Sequence, residues 1–173
     1  PGLNVGYNSF SANTFASGGD PASSFLYGQT LAESKTRQQF YTFTVAPAPG
    51  KALSLTRLEF RPYYQNTSTA FGTAVTWSTD GSTFTDAPPV SGTQPPGLSP
   101  GALFTADLSG VSALQGTTAT VTLRIHVFGI NQYAASGLGG TGDDVALFGT
   151  YSNLPTALDA WRALHGLAAD RSE

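Results

Sequence analysis

The chain has 173 residues, 40% of them apolar and 12% aromatic, which suits one domain with a core, or one domain plus a short appendage. Charged residues make up only 11%, the net charge is −3, and the eight Lys and Arg are scattered from Lys35 to Arg171, so the concentrated basic footprint of a nucleic-acid binder is excluded. Cysteine is absent, which excludes disulfides, thiolate metal sites and a cysteine nucleophile, and no apolar run approaches the roughly 18 residues of a membrane span.

Pro1 to Gly19 carries isolated aromatics, Tyr7, Phe10 and Phe15, without sustained periodicity, and reads as loop with one strand near Leu3 to Asn8. Asp20-Pro21 marks a turn, and Ser24 to Thr30 reads as a short strand. Gln38 to Ala46 is a stronger strand, with Tyr41, Phe43 and Val45 on one face and Pro47, Pro49 and Gly50 ending it. In Leu53 to Tyr64 the apolar parity switches, from Leu53 and Leu55 to Leu58 and Phe60. One inserted residue, a β-bulge near Thr56 or Arg57, would produce that switch.

Ala74 to Thr79 and Ser82 to Thr85 flank Asp80-Gly81. This predicts a tight hairpin, because both residues of the turn tolerate positive φ. Ala87 to Gly101 contains five prolines and reads as a long irregular loop. Leu103 to Leu108 is a strand. In Thr120 to Phe128, Val121, Leu123, Ile125 and Val127 alternate strictly with Thr120, Thr122, Arg124 and His126, the pattern of a central strand with one face in the core. Gly129 to Gly142 is a glycine-rich loop containing Asn131, Gln132 and Tyr133, and Asp143 to Gly149 is the closing strand.

About eight strands with no helix between them predict an all-β fold, an antiparallel β-sandwich or jelly roll over residues 1–152. The tail, 153–173, changes character. Leu158, Trp161 and Leu164 recur at helical spacing, Thr156 with Asp159 resembles a capping box, and Gly166 suits the position just past a helix end.

Chemistry-bearing residues are sparse. There are two histidines, His126 beside Arg124 on the polar parity of the central strand and His165 in the last turn of the tail helix. No Gly-x-Ser-x-Gly elbow or histidine-rich metal spacing accompanies them, so a non-catalytic protein is expected. His126 reads either as a polar-face strand residue or as a ligand contact. Asp143 and Asp144 are adjacent and point to opposite faces of a strand start, which suits a Ca²⁺ site with loop carbonyls, or a solvated loop end, better than a glycosidase pair. Trp77 shares a parity with Val75 and reads as core. Tyr63 and Tyr64 follow Arg61, and Tyr133 lies beside Asn131. Tyrosines among Arg, Asn and His suit a saccharide platform, in which rings stack and polar groups meet hydroxyls; they suit the cover of a sandwich rim equally well.

The segments QFYTFTVAPAPGKALSLTRLEF, WSTDGSTF, DLSGVSALQGTTATVTLRIHVFG and DDVALFG together resemble the jelly-roll modules found in large exported bacterial proteins and beside polysaccharide-degrading domains. They are similar to carbohydrate-binding modules of the galactose-binding-like and xylan-binding type. The resemblance implies a structural calcium held by Asp144. It also implies a polysaccharide bound either on a sheet face, through Arg124 and His126, or at loop tips, through Arg61, Tyr63, Tyr64, Asn131 and Tyr133. The tail NLPTALDAWRALHGLAAD resembles a Trp-Arg helix that precedes a calcium repeat at the end of some large exported bacterial proteins. The expectation is a non-catalytic carbohydrate-binding module of an extracellular or cell-surface protein, without membrane insertion and linked to neighbouring domains. Its rivals are a structural or adhesive β-module with no sugar site and a small hydrolase.

Overall fold

A computed structural model describes residues 10–11, 30–38, 40–64, 72–92, 102–129, 136–138 and 145–166, with 10, 11, 63, 64, 136 and 137 described by backbone alone. Along the chain come β1 (Phe10–Ser11), α1 (Leu31–Thr36), β2 (Phe40–Val45), β3 (Lys51–Phe60), β4 (Pro62–Tyr64), β5 (Gly72–Ser78) and β6 (Thr85–Asp86). After them come β7 (Phe104–Asp107), a 3-10 turn at Ser112–Leu114, β8 (Val121–Phe128), β9 (Ser136–Leu138), β10 (Val145–Asn153) and α2 (Ala157–Leu164).

The strands form a five-stranded sheet in the order β1-β2-β8-β5-β6, a three-stranded sheet in the order β10-β3-β7, and a small β4-β9 ribbon. Every pairing is antiparallel. The alternating apolar set of β8 dictates the arrangement. Val121, Leu123, Ile125 and Val127 join Tyr41, Phe43 and Val75 of the larger sheet, and Leu55, Leu58, Phe60, Ala106 and Leu147 of the smaller one, in a single core. Each large apolar side chain so enclosed contributes about 1.5–3 kcal/mol. The expected antiparallel, sandwich-like β fold with a short C-terminal helix is what the chain adopts.

The parity switch in β3 has the predicted cause. Phe148 of β10 pairs with Arg57 and Gly149 with Leu55, which leaves Thr56 as the extra residue of a bulge and keeps both Leu55 and Leu58 in the core. Two residues support the bulge. Gly149 approaches β3 so closely that a Cβ on it would lie 2.3 Å from the Ser54 carbonyl oxygen. The Gln115 amide Nε2 donates to the carbonyls of Leu55 at 2.8 Å and Leu108 at 3.1 Å.

The β5–β6 hairpin exists, but its turn is not the tight Asp-Gly type. Thr76 pairs with Asp86 and Trp77 with Thr85, so the connection is wider than two residues. Only Gly81, at φ 74°, enters the left-handed region there. The Asp80 side chain closes the loop instead, its Oδ1 accepting the backbone N–H groups of Ser82 and Thr83 at 2.7 Å each and the Ser78 hydroxyl at 2.8 Å. A short side chain that bonds its own backbone competes with the ladder and holds the broader loop. Trp77 packs against the core, as expected.

Helix α1 was not anticipated. The strand expected at Ser24 to Thr30 falls outside the described residues apart from Thr30, which is extended (φ −128°, ψ 163°) and caps α1, its hydroxyl accepting the Glu33 N–H. Gln38 follows the helix at φ 55°, so β2 begins only at Phe40. The strand expected at Leu3 to Asn8 lies outside the described residues. At the other end α2 carries the expected capping box, with the Thr156 and Asp159 side chains bonding each other's backbone N–H, and Gly166 past its end has φ 67°. Leu158, Trp161 and Leu164 remain 49%, 52% and 80% exposed. No described helix is long and apolar enough to cross a membrane.

Candidate functional site

Because the odd positions of β8 face the core, Thr122, Arg124 and His126 emerge on the outer face of the five-stranded sheet. The register sets Thr42 of β2 and Thr76 of β5 on either side of Arg124, and Phe40 and Ala74 on either side of His126. Phe40 is thus an aromatic residue on the polar parity of its strand. It is nonetheless only 5% exposed, since its ring meets His126 edge-on at 5.5 Å and carries the Arg124 guanidinium 4.1 Å from its centroid. Phe84, from the β5–β6 loop, closes the other side, 3.4 Å from the guanidinium carbon.

Arg124 is therefore held between two aromatic rings, where cation–π attraction and planar stacking fix its orientation. Its Nε is buried without a hydrogen-bond acceptor. Burial lowers its pKa from the ordinary arginine value, yet a guanidinium stays cationic at any ordinary pH. Facing Thr42 and Thr76 on either side, the group is a partly exposed, pre-oriented hydrogen-bond donor.

His126 lies beneath this surface. It is 1% exposed, with Nε2 3.1 Å from Thr76 Oγ1 and Nδ1 3.3 Å from Ser34 Oγ. Ser34 comes from α1, which lies across this face and is tied down again where Lys35 meets Asp86 of β6 at 2.5 Å. Burial, together with the positive charges of Lys35 and Arg124 and against the opposing pull of Asp86, drives the His126 pKa down to about 4. It is a neutral tie between sheet and helix.

The structure thus brings Arg124 and His126 to one face and in contact with one ring, Phe40. Arg61 lies apart, half-buried in the step between β3 and β4. The backbone of β4 sets Tyr63 opposite Gly137 and Tyr64 opposite Ser136. Asn131, Tyr133 and Asp144 lie outside the described residues, and the described residues contain no group of three or more His, Cys, Asp or Glu side chains suited to a metal. Sequence reasoning missed Phe40, Phe84, Ser34 and Thr76. A Phe on the polar parity of β2 was the signal for the first, and the Thr30-x-x-Glu33 spacing was the signal for the helix that carries Ser34.

A second opening, of about 390 Å³, lies beside the β2–β3 connection, lined by Ala46, Pro47, Ala48, Lys51, Leu53 and Tyr151. Tyr151 is 46% exposed, with Lys51 Nζ 5.6 Å from its ring centroid and also donating to the Asn153 side chain. Comparison with models of protein families, with curated proteins and with solved structures gave no match. What the two surfaces can do must be read from their own chemistry.

Proposed function

We propose that the chain is a non-catalytic carbohydrate-binding module of a secreted or surface protein, its two sheets wound as a jelly roll, and that the Arg124 face is its binding site. The observation that carries this reading is the partly exposed guanidinium fixed between Phe40 and Phe84, with threonines on either side. A saccharide needs polar groups placed against its hydroxyls beside flat apolar surface; here Arg124 and Thr42, both half-buried on strands, and the half-buried Phe84 ring of the β5–β6 loop can serve, while Phe40 and Thr76 lie beneath them and hold the arrangement. His126 supports the non-catalytic reading, because a neutral ring closed from solvent between two hydroxyls has no route to a substrate proton.

Affinity electrophoresis of the purified chain through gels containing plant and bacterial polysaccharides tests the proposal. At least one polysaccharide is expected to retard the protein, with retardation reduced in Arg124→Gln and unchanged in Tyr151→Ala. Retardation by none would instead make the chain a structural or adhesive module. Loss in Tyr151→Ala alone moves the site to the second opening. The calcium at Asp144 is a separate part of the proposal: chelation lowers the melting temperature if the ion is held there, and an unchanged melting temperature removes it.

A further inference from the structure

Resting on that reading of the Arg124 face, we propose that its ligand is an acidic glycan and that Arg124 receives the carboxylate of a uronic acid residue. The argument begins with a comparison inside the molecule. Arg57 also stacks on a phenylalanine, 3.6 Å from the Phe148 ring centroid, and its Nε is completed by Glu59 at 2.7 Å. Arg124 has the stacking twice over, and among the described residues no carboxylate is paired with it. Its ladder neighbours are the neutral Thr42 and Thr76. The carboxylate in the same row, Asp86, is paired to Thr76 and so stands two strands away, about 10 Å at the usual strand spacing. It is already bonded to Lys35 at 2.5 Å.

A guanidinium partly removed from water carries a desolvation cost that an anion arriving at its terminal nitrogens offsets through charge; the enclosed Nε stays out of such a ligand's reach. The two rings take up the flat faces of the guanidinium, and the edge of such a group presents paired N–H groups at the spacing of carboxylate oxygens. A neutral hydroxyl fills one such position and compensates no charge. The net charge of −3 gives no general attraction for polyanions, so binding of an acidic polymer has to arise from a local contact such as this one.

The test compares glucuronoxylan and polygalacturonate, each with its carboxyl-reduced product, in affinity electrophoresis and calorimetry on the unaltered protein and on Arg124→Gln and Arg124→Lys. At least one native polymer is expected to bind about tenfold or more tighter than its reduced form, the loss typical of a charge-assisted hydrogen bond. Arg124→Gln is expected to erase that difference, and Arg124→Lys, which keeps the charge without the planar fork, to restore only part of it. The reduced polymers need no variant, so the outcome stands even if a substitution disturbs folding. Equal binding of native and reduced polymers overturns the inference and leaves the glycan reading in place. Binding of neither form of either polymer, when a neutral polysaccharide does bind, overturns it too; binding of no polysaccharide at all overturns both. Polyglutamate bound as tightly as the glycans also overturns it, because the carboxylate would then belong to an acidic peptide.

Discussion

Thr76 Oγ1 and His126 Nε2 lie 3.1 Å apart on the outer face of the sheet, in a place closed to water by α1. The opposite ring nitrogen meets Ser34 of that helix, so one imidazole joins strand to helix. Burial, then the nearby Lys35 and Arg124, bring its pKa from 6.5 to about 4. Between those values the unfolded chain binds a proton that the folded chain refuses, so stability falls as pH falls from about 6.5 to about 4, by up to about 3 kcal/mol. Above 6.5 this group adds no slope. Asp80 and Asp107, whose carboxylates are held below their usual range by hydrogen bonds from Thr83, Ser82 and Ser78 and from Ser109 respectively, lose their contribution only below about pH 4. Urea unfolding at pH 7 and pH 4.5 checks this: the loss is expected in the native chain and flattened in His126→Gln. An equal loss in that variant would rule out His126 as the cause.

The β3 bulge depends on a side chain that is absent. Since a Cβ on Gly149 would meet the Ser54 carbonyl oxygen at 2.3 Å and the Leu55 backbone at 3.2 Å, Gly149→Ala forces β10 away from β3 at the middle of the smaller sheet. The clash is with backbone, which no rotamer relieves. A loss of about 3 kcal/mol is expected, read as a lower urea midpoint with an unchanged denaturant slope. A loss under about 0.5 kcal/mol would mean that the strands can separate there without penalty.

Gln115 serves the same bulge differently, its amide reaching the Leu55 and Leu108 carbonyls from the turn between β7 and β8. Gln115→Leu preserves the bulk and removes the donors, at an expected cost of about 1–3 kcal/mol for acceptors left without a partner. Gln115→Glu is expected to cost more at pH 7, because a carboxylate then faces those carbonyls, and to recover part of the loss once protonated at low pH. A glutamate variant as stable as the native chain at pH 7 would show that these bonds are dispensable.

The parts legible in the sequence are those set by local pattern. Alternation along 120–128 gave β8, the parity switch from Leu55 to Leu58 gave the bulge, and Thr156 with Asp159 gave the α2 cap. The site was only half legible. Arg124 and His126 followed from the parity of β8, but Phe40 and Phe84 meet Arg124 only through the register of β2 with β8 and of β5 with both β8 and β6, which no local period encodes. Helix α1, six residues long, is too short to show a helical repeat. Its capping pair, Thr30 and Glu33, is a local signal, but it was obscured by a strand reading that ran as far as Thr30. The turn at Asp80-Gly81 misled for a physical reason: the aspartate bonds its own backbone rather than taking the left-handed conformation.

The two tryptophans offer a check on the ends of the fold. Trp77 packs against the core with its Nε1 buried, whereas Trp161 is 52% exposed and meets His165 in a tilted ring contact, with centroids 4.5 Å apart. Trp77→Ala should therefore cost about 3 kcal/mol, while Trp161→Ala should stay within about 0.5 kcal/mol. Fluorescence separates them without relying on stability. In Trp77→Phe the remaining emission is expected to be red-shifted and readily quenched by acrylamide, and in Trp161→Phe blue-shifted and protected. If Trp161 instead proves protected and its removal destabilises the chain, α2 is packed against another surface in solution, and its apolar face belongs to the fold.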